Sequence, residues 1–187
     1  MIGLLPTELT VGNRTVPIDS DFRTMLRIYE AFCDDDLTDT EKAYVCVRLL
    51  FREPIAPYEF EEAVKQAYWF YDGGDMPKSK PLKVRTIDWK QDESLIFPAV
   101  SKALGAVDIR QLPYIHWWTF LGAFGEIGEG LFQTVMSIRQ KKAQGKKLEK
   151  WEREFCSRNK ELILLHRISA EEEKARQETE DFLKTLI

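Results

Sequence analysis

The chain has 187 residues, 44% of them apolar and 12% aromatic, with 27 basic and 31 acidic residues and a formal net charge of -4. That apolar fraction supplies a packed core and excludes global disorder, while the slight acidic excess argues against a dedicated nucleic-acid binder. Cys33, Cys46 and Cys156 form no CxxC pair, so neither a disulfide framework nor a zinc site is indicated.

In chain order, LTVGNRTVPID holds two short β-prone runs around Gly12-Asn13 and predicts a small hairpin, with Pro17 near the end of its second strand. From Ser20 the period becomes helical, with Phe22, Leu26, Tyr29 and Phe32 on one stripe of a first helix that ends before Asp34-Asp35-Asp36. Thr38 and Glu41 make a capping box, and a second helix follows through Ala43, Cys46, Val47 and Leu50. Pro54 and Pro57 stop it, because proline lacks the amide donor. A third helix starts near Pro57, carries Phe60, Val64, Ala67 and Tyr71, and ends at Gly73-Gly74.

Residues 73 to 92 read as a loop rich in Gly, Pro and Lys. A fourth helix lies within residues 93 to 105, where Pro98 belongs to a first turn if proline is to be tolerated. The stretch LPYIHWWTFLGAFGEIGEG then predicts a buried helix with Pro113 in its first turn and Trp117, Leu121, Phe124 and Ile127 on one stripe. Its glycines, at 122 and 125, each cost about 1 kcal/mol relative to alanine, a cost that close approach of a neighbouring helix would offset. Another helix builds on Leu131, Val135 and Ile138. A further amphipathic stretch carries Leu148, Trp151, Phe155, Leu162 and Leu165, with a polar gap around 158 to 161. Ser169 and Glu172 form a last capping box before AEEEKARQETEDF, a polar helix suited to an exposed arm or an interface. The expected architecture is mainly α: a helical bundle over residues 1–168 with a small N-terminal β-hairpin, and a polar C-terminal helical arm over 169–187.

Catalytic, cofactor and metal motifs do not emerge. The glycines from 122 to 130 follow a helix rather than a strand, and no Lys-Ser/Thr pair succeeds them, so a phosphate loop is not expected. His116 and His166 stand in neither an HExxH nor a triad setting; His116 beside two tryptophans reads as a polar group satisfied within an apolar helix. The run DDDLTDTE from Asp34 puts Asp39 and Val45 where a calcium loop needs glycine and glutamate. Glu126 and Glu129 fit two adjacent surface acids. IRQKKAQGKKLEKWER has more weight, because Arg139, Lys141, Lys142, Lys146, Lys147 and Lys150 face one acid, Glu149. It reads as a solvated basic turn between helices, or as a patch that docks an acidic helical partner or another copy's acidic arm. Trp69, Phe70 and Tyr71 spread round more than one face of the third helix and, with Trp89, are the candidates for an exposed aromatic contact. The opening MIGLLPTELTVGNRT lacks a basic start with a long apolar run, and no stretch approaches ~18 consecutive apolar residues. A cytosolic protein with no membrane or nucleic-acid partner is expected.

The stretch HWWTFLGAFGEIGEG, continuing through SIRQKKAQGKKLEKWEREF, resembles the bacteriophage gene-product-fifteen family of tail-region proteins. The beginning LPTELTVGNRTVPIDSDFRTML, the acidic stretch before the second helix, the YDGGD turn and the Asp88-Trp89 segment carry the same resemblance, which covers residues 1 to 165. It implies no enzyme and no cofactor. What it implies is a tail assembly chaperone of long-tailed phages, which coats the helical tape-measure protein in the host cytoplasm and leaves as tail-tube subunits polymerise. Self-association is a further expectation, and a structural tail or connector adaptor retained in the virion is the alternative.

Overall fold

The computed structural model describes residues 3–34, 36–74 and 86–165. The expected arm over 169–187, with its capping box, lies outside the described residues, as do positions 75–85 of the expected loop. Among the described residues the protein is mainly α, with eight helices and one two-stranded antiparallel hairpin. They pack as two compact units. Residues 3–74 (save 35) and 95–129 form the first; residues 86–94 and 130–165 form the second.

In the first unit, strands β1 (Glu8–Val11) and β2 (Arg14–Pro17) pair with Leu9 opposite Val16. Gly12 takes a φ of 60° at the first turn position, where a type II′ hairpin turn calls for glycine. Alternation puts Leu9, Val11 and Val16 inside. Arg14 reaches from β2 to Glu59, donating from Nε at 3.0 Å and Nη2 at 3.1 Å.

Helix α1 (Phe22–Phe32) starts at Asp21, whose carboxylate accepts the Arg23 amide at 2.9 Å. Its buried row is Phe22, Met25 and Ile28, while Leu26, Tyr29 and Phe32 of the expected stripe are half-buried. The apolar arc is wide because α1 has neighbours on two sides, and the row at its centre is the one enclosed. Helix α2 (Asp39–Leu50) carries the expected capping box, with the Thr38 amide donating to Glu41 at 2.8 Å and the Glu41 amide to Thr38 Oγ1 at 3.3 Å. Cys46, Val47 and Leu50 are buried as its period predicts. A 3-10 turn (Pro57–Glu59) leads into α3 (Phe60–Tyr71), which buries Ala63, Ala67 and Phe70. Gly73 and Gly74 close it at φ 81° and 82°, with the Gly74 amide donating to Trp69 O at 2.9 Å.

Helix α4 (Glu93–Ala103) holds Pro98 in its interior rather than in a first turn. The carbonyl that loses its donor is that of Ser94, an exposed residue in the first turn of the helix. Helix α5 (Trp117–Gly125) begins four residues later than Pro113 suggested, because His116 is its N-cap.

The second unit joins residues 86–92 to α6 (Leu131–Ala143), α7 (Lys150–Arg158) and α8 (Lys160–Ile163). The amphipathic stretch after Gly145 divides at Asn159, inside the polar gap. Leu131 and Trp151 are half exposed, and the buried positions are Phe132, Val135, Ile138 and Ile163, together with Thr86, Asp92, Arg139 and Glu152.

Candidate partner-binding surfaces

The HWW segment is a structural junction. Its backbone meets the start of α1, with the Phe22 amide donating to Ile115 O at 3.0 Å and the Trp117 amide to Ser20 O at 2.8 Å. Asp21 Oδ2 accepts the Ile115 amide at 3.1 Å. His116 is 3% exposed; its Nδ1 accepts the Trp118 amide at 3.1 Å, and Nε2 lies 2.9 Å from Pro6 O. A carbonyl can only accept, so Nε2 carries the proton and the ring is neutral. Burial pushes its pKa below the ordinary value, although the Pro6 carbonyl opposes that shift. His116 is thus satisfied as expected, but at a helix start rather than within the helix.

The paired tryptophans finish α3. Trp117 Nε1 donates to Tyr71 O at 2.8 Å, and Trp118 Nε1 donates to Phe70 O at 2.8 Å. Both are carbonyls of the last helical turn, which have no intrahelical donor. The Trp118 ring lies so close to Gly74 that a Cβ there would sit 3.0 Å from Cη2. Gly73-Gly74 and Trp117-Trp118 are therefore one device, linked across 44 residues of sequence. A signal for it existed: a buried indole needs an acceptor, and two adjacent ones need two.

The glycines after the tryptophans do something other than expected. Gly122, Gly125, Gly128 and Gly130 are exposed, and a Cβ on any of them would meet nothing within 4 Å. Helix α5 buries one face only, Trp117, Phe120 and Ala123, and leaves Thr119, Gly122 and Gly125 to solvent. No close helix approach accounts for them among the described residues.

Of the aromatic candidates, Phe70 is fully buried, stacked on Trp118 with centroids 5.8 Å apart and edge-on to His116, so it offers no exposed contact. Trp69 is half-buried against Trp118 at 5.3 Å, and Trp89 is half-buried in the second unit. Tyr71 is half-buried between Phe32 (5.1 Å) and Trp117 (5.9 Å). With Phe32 and Tyr68 it floors an open groove of about 580 Å³ whose rim carries Asp39, Lys42 and Asp72. Tyr68, 39% exposed, presents the most ring surface there and was not singled out by sequence. Its helical position lies beside the chosen triplet, and only the fold of α1 and α2 around it makes a groove. Burial raises the pKa of both tyrosines, so both phenols stay neutral donors.

The basic run splits in two. Arg139 is buried and forms a bidentate pair with Asp92, Nη1–Oδ2 at 2.6 Å and Nη2–Oδ1 at 2.8 Å. Its remaining donors reach Thr86 O at 2.9 Å and Leu162 O at 3.1 Å. Arg139 therefore belongs to a core, not to a patch. Lys141 donates to Glu152 at 2.6 Å, and Glu152, 1% exposed, also accepts the Glu149 amide at 2.8 Å. These hydrogen bonds lower the Glu152 pKa and raise that of Lys141. Lys142, Lys146, Lys147 and Lys150 are exposed.

Other chemistry is not assembled among the described residues: no group of three or more His, Cys, Asp or Glu could hold a metal ion, and no helix is long and apolar enough to cross a membrane. Burial pushes the Cys46 thiol to about 12, far from a reactive thiolate. Fold and surfaces together define a mainly helical protein whose conspicuous side chains cap, pack or line open grooves.

Its sequence matches the model of the family described as Bacteriophage Gp15 protein over residues 1–165, and the chain belongs to that family. This makes it a phage structural or morphogenesis protein, from a family that is not a known enzyme family. No curated protein and no solved structure matches it.

Proposed function

We propose that the protein is a non-enzymatic tail assembly chaperone, which binds the tape-measure protein in the host cytoplasm and keeps it soluble while the tail forms. The observation that supports this reading is the open aromatic groove of Phe32, Tyr68 and Tyr71. An aromatic floor with a mixed-charge rim suits the apolar stripe of an amphipathic helix, the form in which a long helical partner would expose itself before enclosure. Such a groove is small, so each site is weak and releasable, and many copies along one partner would share the load. Tail-tube subunits would then displace them as they polymerise.

Co-expression with the long helical protein encoded downstream, followed by size-exclusion chromatography with light scattering, tests the reading. A soluble complex holding many copies of this chain is the expected result, and Tyr68→Ala should weaken it by about tenfold, as loss of a ring at an interface centre does. A partner that precipitates while this chain stays free would sink the proposal. Recovery of the chain from purified virions by mass spectrometry would favour the structural adaptor instead.

A further inference from the structure

A second groove, of about 380 Å³, opens within the second unit between α6, α7 and α8. Lys142, Arg153 and Lys160 line it around Cys156, Ile163 and Leu164. Among the described residues no carboxylate lines it, and Leu164 is 60% exposed although it forms part of an apolar floor. A lining of one sign over an apolar floor selects a segment that is both acidic and apolar.

The chain itself encodes such a segment directly after the groove. Residues 169–187 carry Glu171, Glu172, Glu173, Glu178, Glu180 and Asp181 against Lys174, Arg176 and Lys184, and then Phe182, Leu183, Leu186 and Ile187. We infer that this segment is the occupant of the α6–α8 groove of its own chain, its acids facing Lys142, Arg153 and Lys160. Two arguments favour it over a separate partner. Charge complementarity is the first. The second is tethering: Leu164 lines the groove, and the acidic triplet starts seven residues beyond it, within reach of an extended linker of about 3.4 Å per residue. A tether that short gives an effective concentration in the millimolar range, so a weak, salt-sensitive contact is enough to keep the groove covered. The inference does not depend on the chaperone reading, because it uses neither the aromatic groove nor the tape-measure protein.

Cys156 reports on it, being half-buried in the groove lining. In the full chain at low salt, alkylation of Cys156 by N-ethylmaleimide would be followed by peptide mass spectrometry, with Cys33 of the first unit as the internal reference. The expected result is about a tenfold faster reaction at Cys156 in E171K/E172K/E173K than in the unaltered chain, and acceleration of the unaltered chain by salt. Adding K142E/R153E to the triple variant, which swaps the signs, should restore protection. Equal Cys156 rates in the unaltered chain and the triple variant would overturn the inference. So would protection that grows with protein concentration, since a second copy would then supply the segment.

Discussion

The two units are stabilised in different ways, although both are built from short helices. The first encloses aromatic and aliphatic side chains such as Phe22, Met25, Ile28, Phe70 and Phe120, and no charged side chain is buried in it. In the second, Phe132, Val135, Ile138 and Ile163 share the interior with Asp92, Arg139 and Glu152. Apolar burial is non-directional and tolerates exchange among similar shapes. A buried ion pair does not, because each partner has given up water and relies on one geometry. The second unit is therefore more specific in its contacts and more fragile to single changes.

The largest expected effect tests that contrast. Asp92→Ala leaves the Arg139 guanidinium buried with its bidentate acceptor gone, which costs about 3–5 kcal/mol. Hydrogen exchange should show α6 and α8 losing protection while residues 22–70 keep theirs. If the loss is uniform along the chain, the two units are not independent in stability. Replacing both partners by apolar residues of similar volume, Asp92→Leu with Arg139→Met, should recover most of the loss.

A smaller effect belongs to the aromatic unit. Gly74→Ala places a methyl 3.0 Å from the Trp118 ring on a backbone at φ 82°, a conformation alanine adopts only under strain. About 2 kcal/mol of destabilisation is expected in urea unfolding. An unchanged midpoint would mean that the tryptophan pair does not fix the end of α3.

His116 sets a third test, modest and dependent on pH. Its folded pKa is depressed, chiefly by burial, so the unfolded chain binds the proton more readily. The contribution is fully present above the ordinary histidine value of about 6.5 and is lost as pH falls from there through the folded value. Protonation at Nδ1 also removes the acceptor for the Trp118 amide. Wild type should lose stability relative to His116→Asn as pH falls from 7 towards 5.5; parallel profiles would contradict the capping role.

What was legible in the sequence follows the same division. The hairpin at Gly12-Asn13 and the Thr38–Glu41 box rest on neighbouring residues, whose local chemistry decides the structure whatever packs on it. The Gly73-Gly74 stop was legible from its glycines, although the distant tryptophan pair completes it. The family was equally readable, since it rests on the order of segments along the chain. The pairing of Arg139 with Asp92 was hidden inside a run of basic residues, because nothing local distinguishes a buried arginine from five lysines around it. Tyr68 and the α6–α8 groove depend on how separate helices enclose space, and the apparent glycine contacts of α5 failed for that reason too.

The smallest expected effect runs in the opposite direction, towards greater stability. Ala106 has a φ of 65° and is the one described non-glycine residue in the left-handed region. It follows Gly105 at φ 87° and closes α4 by donating its amide to Ser101 O at 2.8 Å, so the chain end of α4 fixes this conformation. Alanine pays a steric penalty there that glycine does not, and the side chain is exposed, so no packing is lost on removing it. Against this stands the greater freedom that glycine gives the unfolded chain, worth about 0.4–1 kcal/mol. The left-handed penalty is about 1–2 kcal/mol, so Ala106→Gly should stabilise the first unit by about 0.5–1 kcal/mol. A lower urea midpoint in the variant would mean that the backbone at 106 relaxes out of the left-handed region in solution and that Gly105 alone ends the helix.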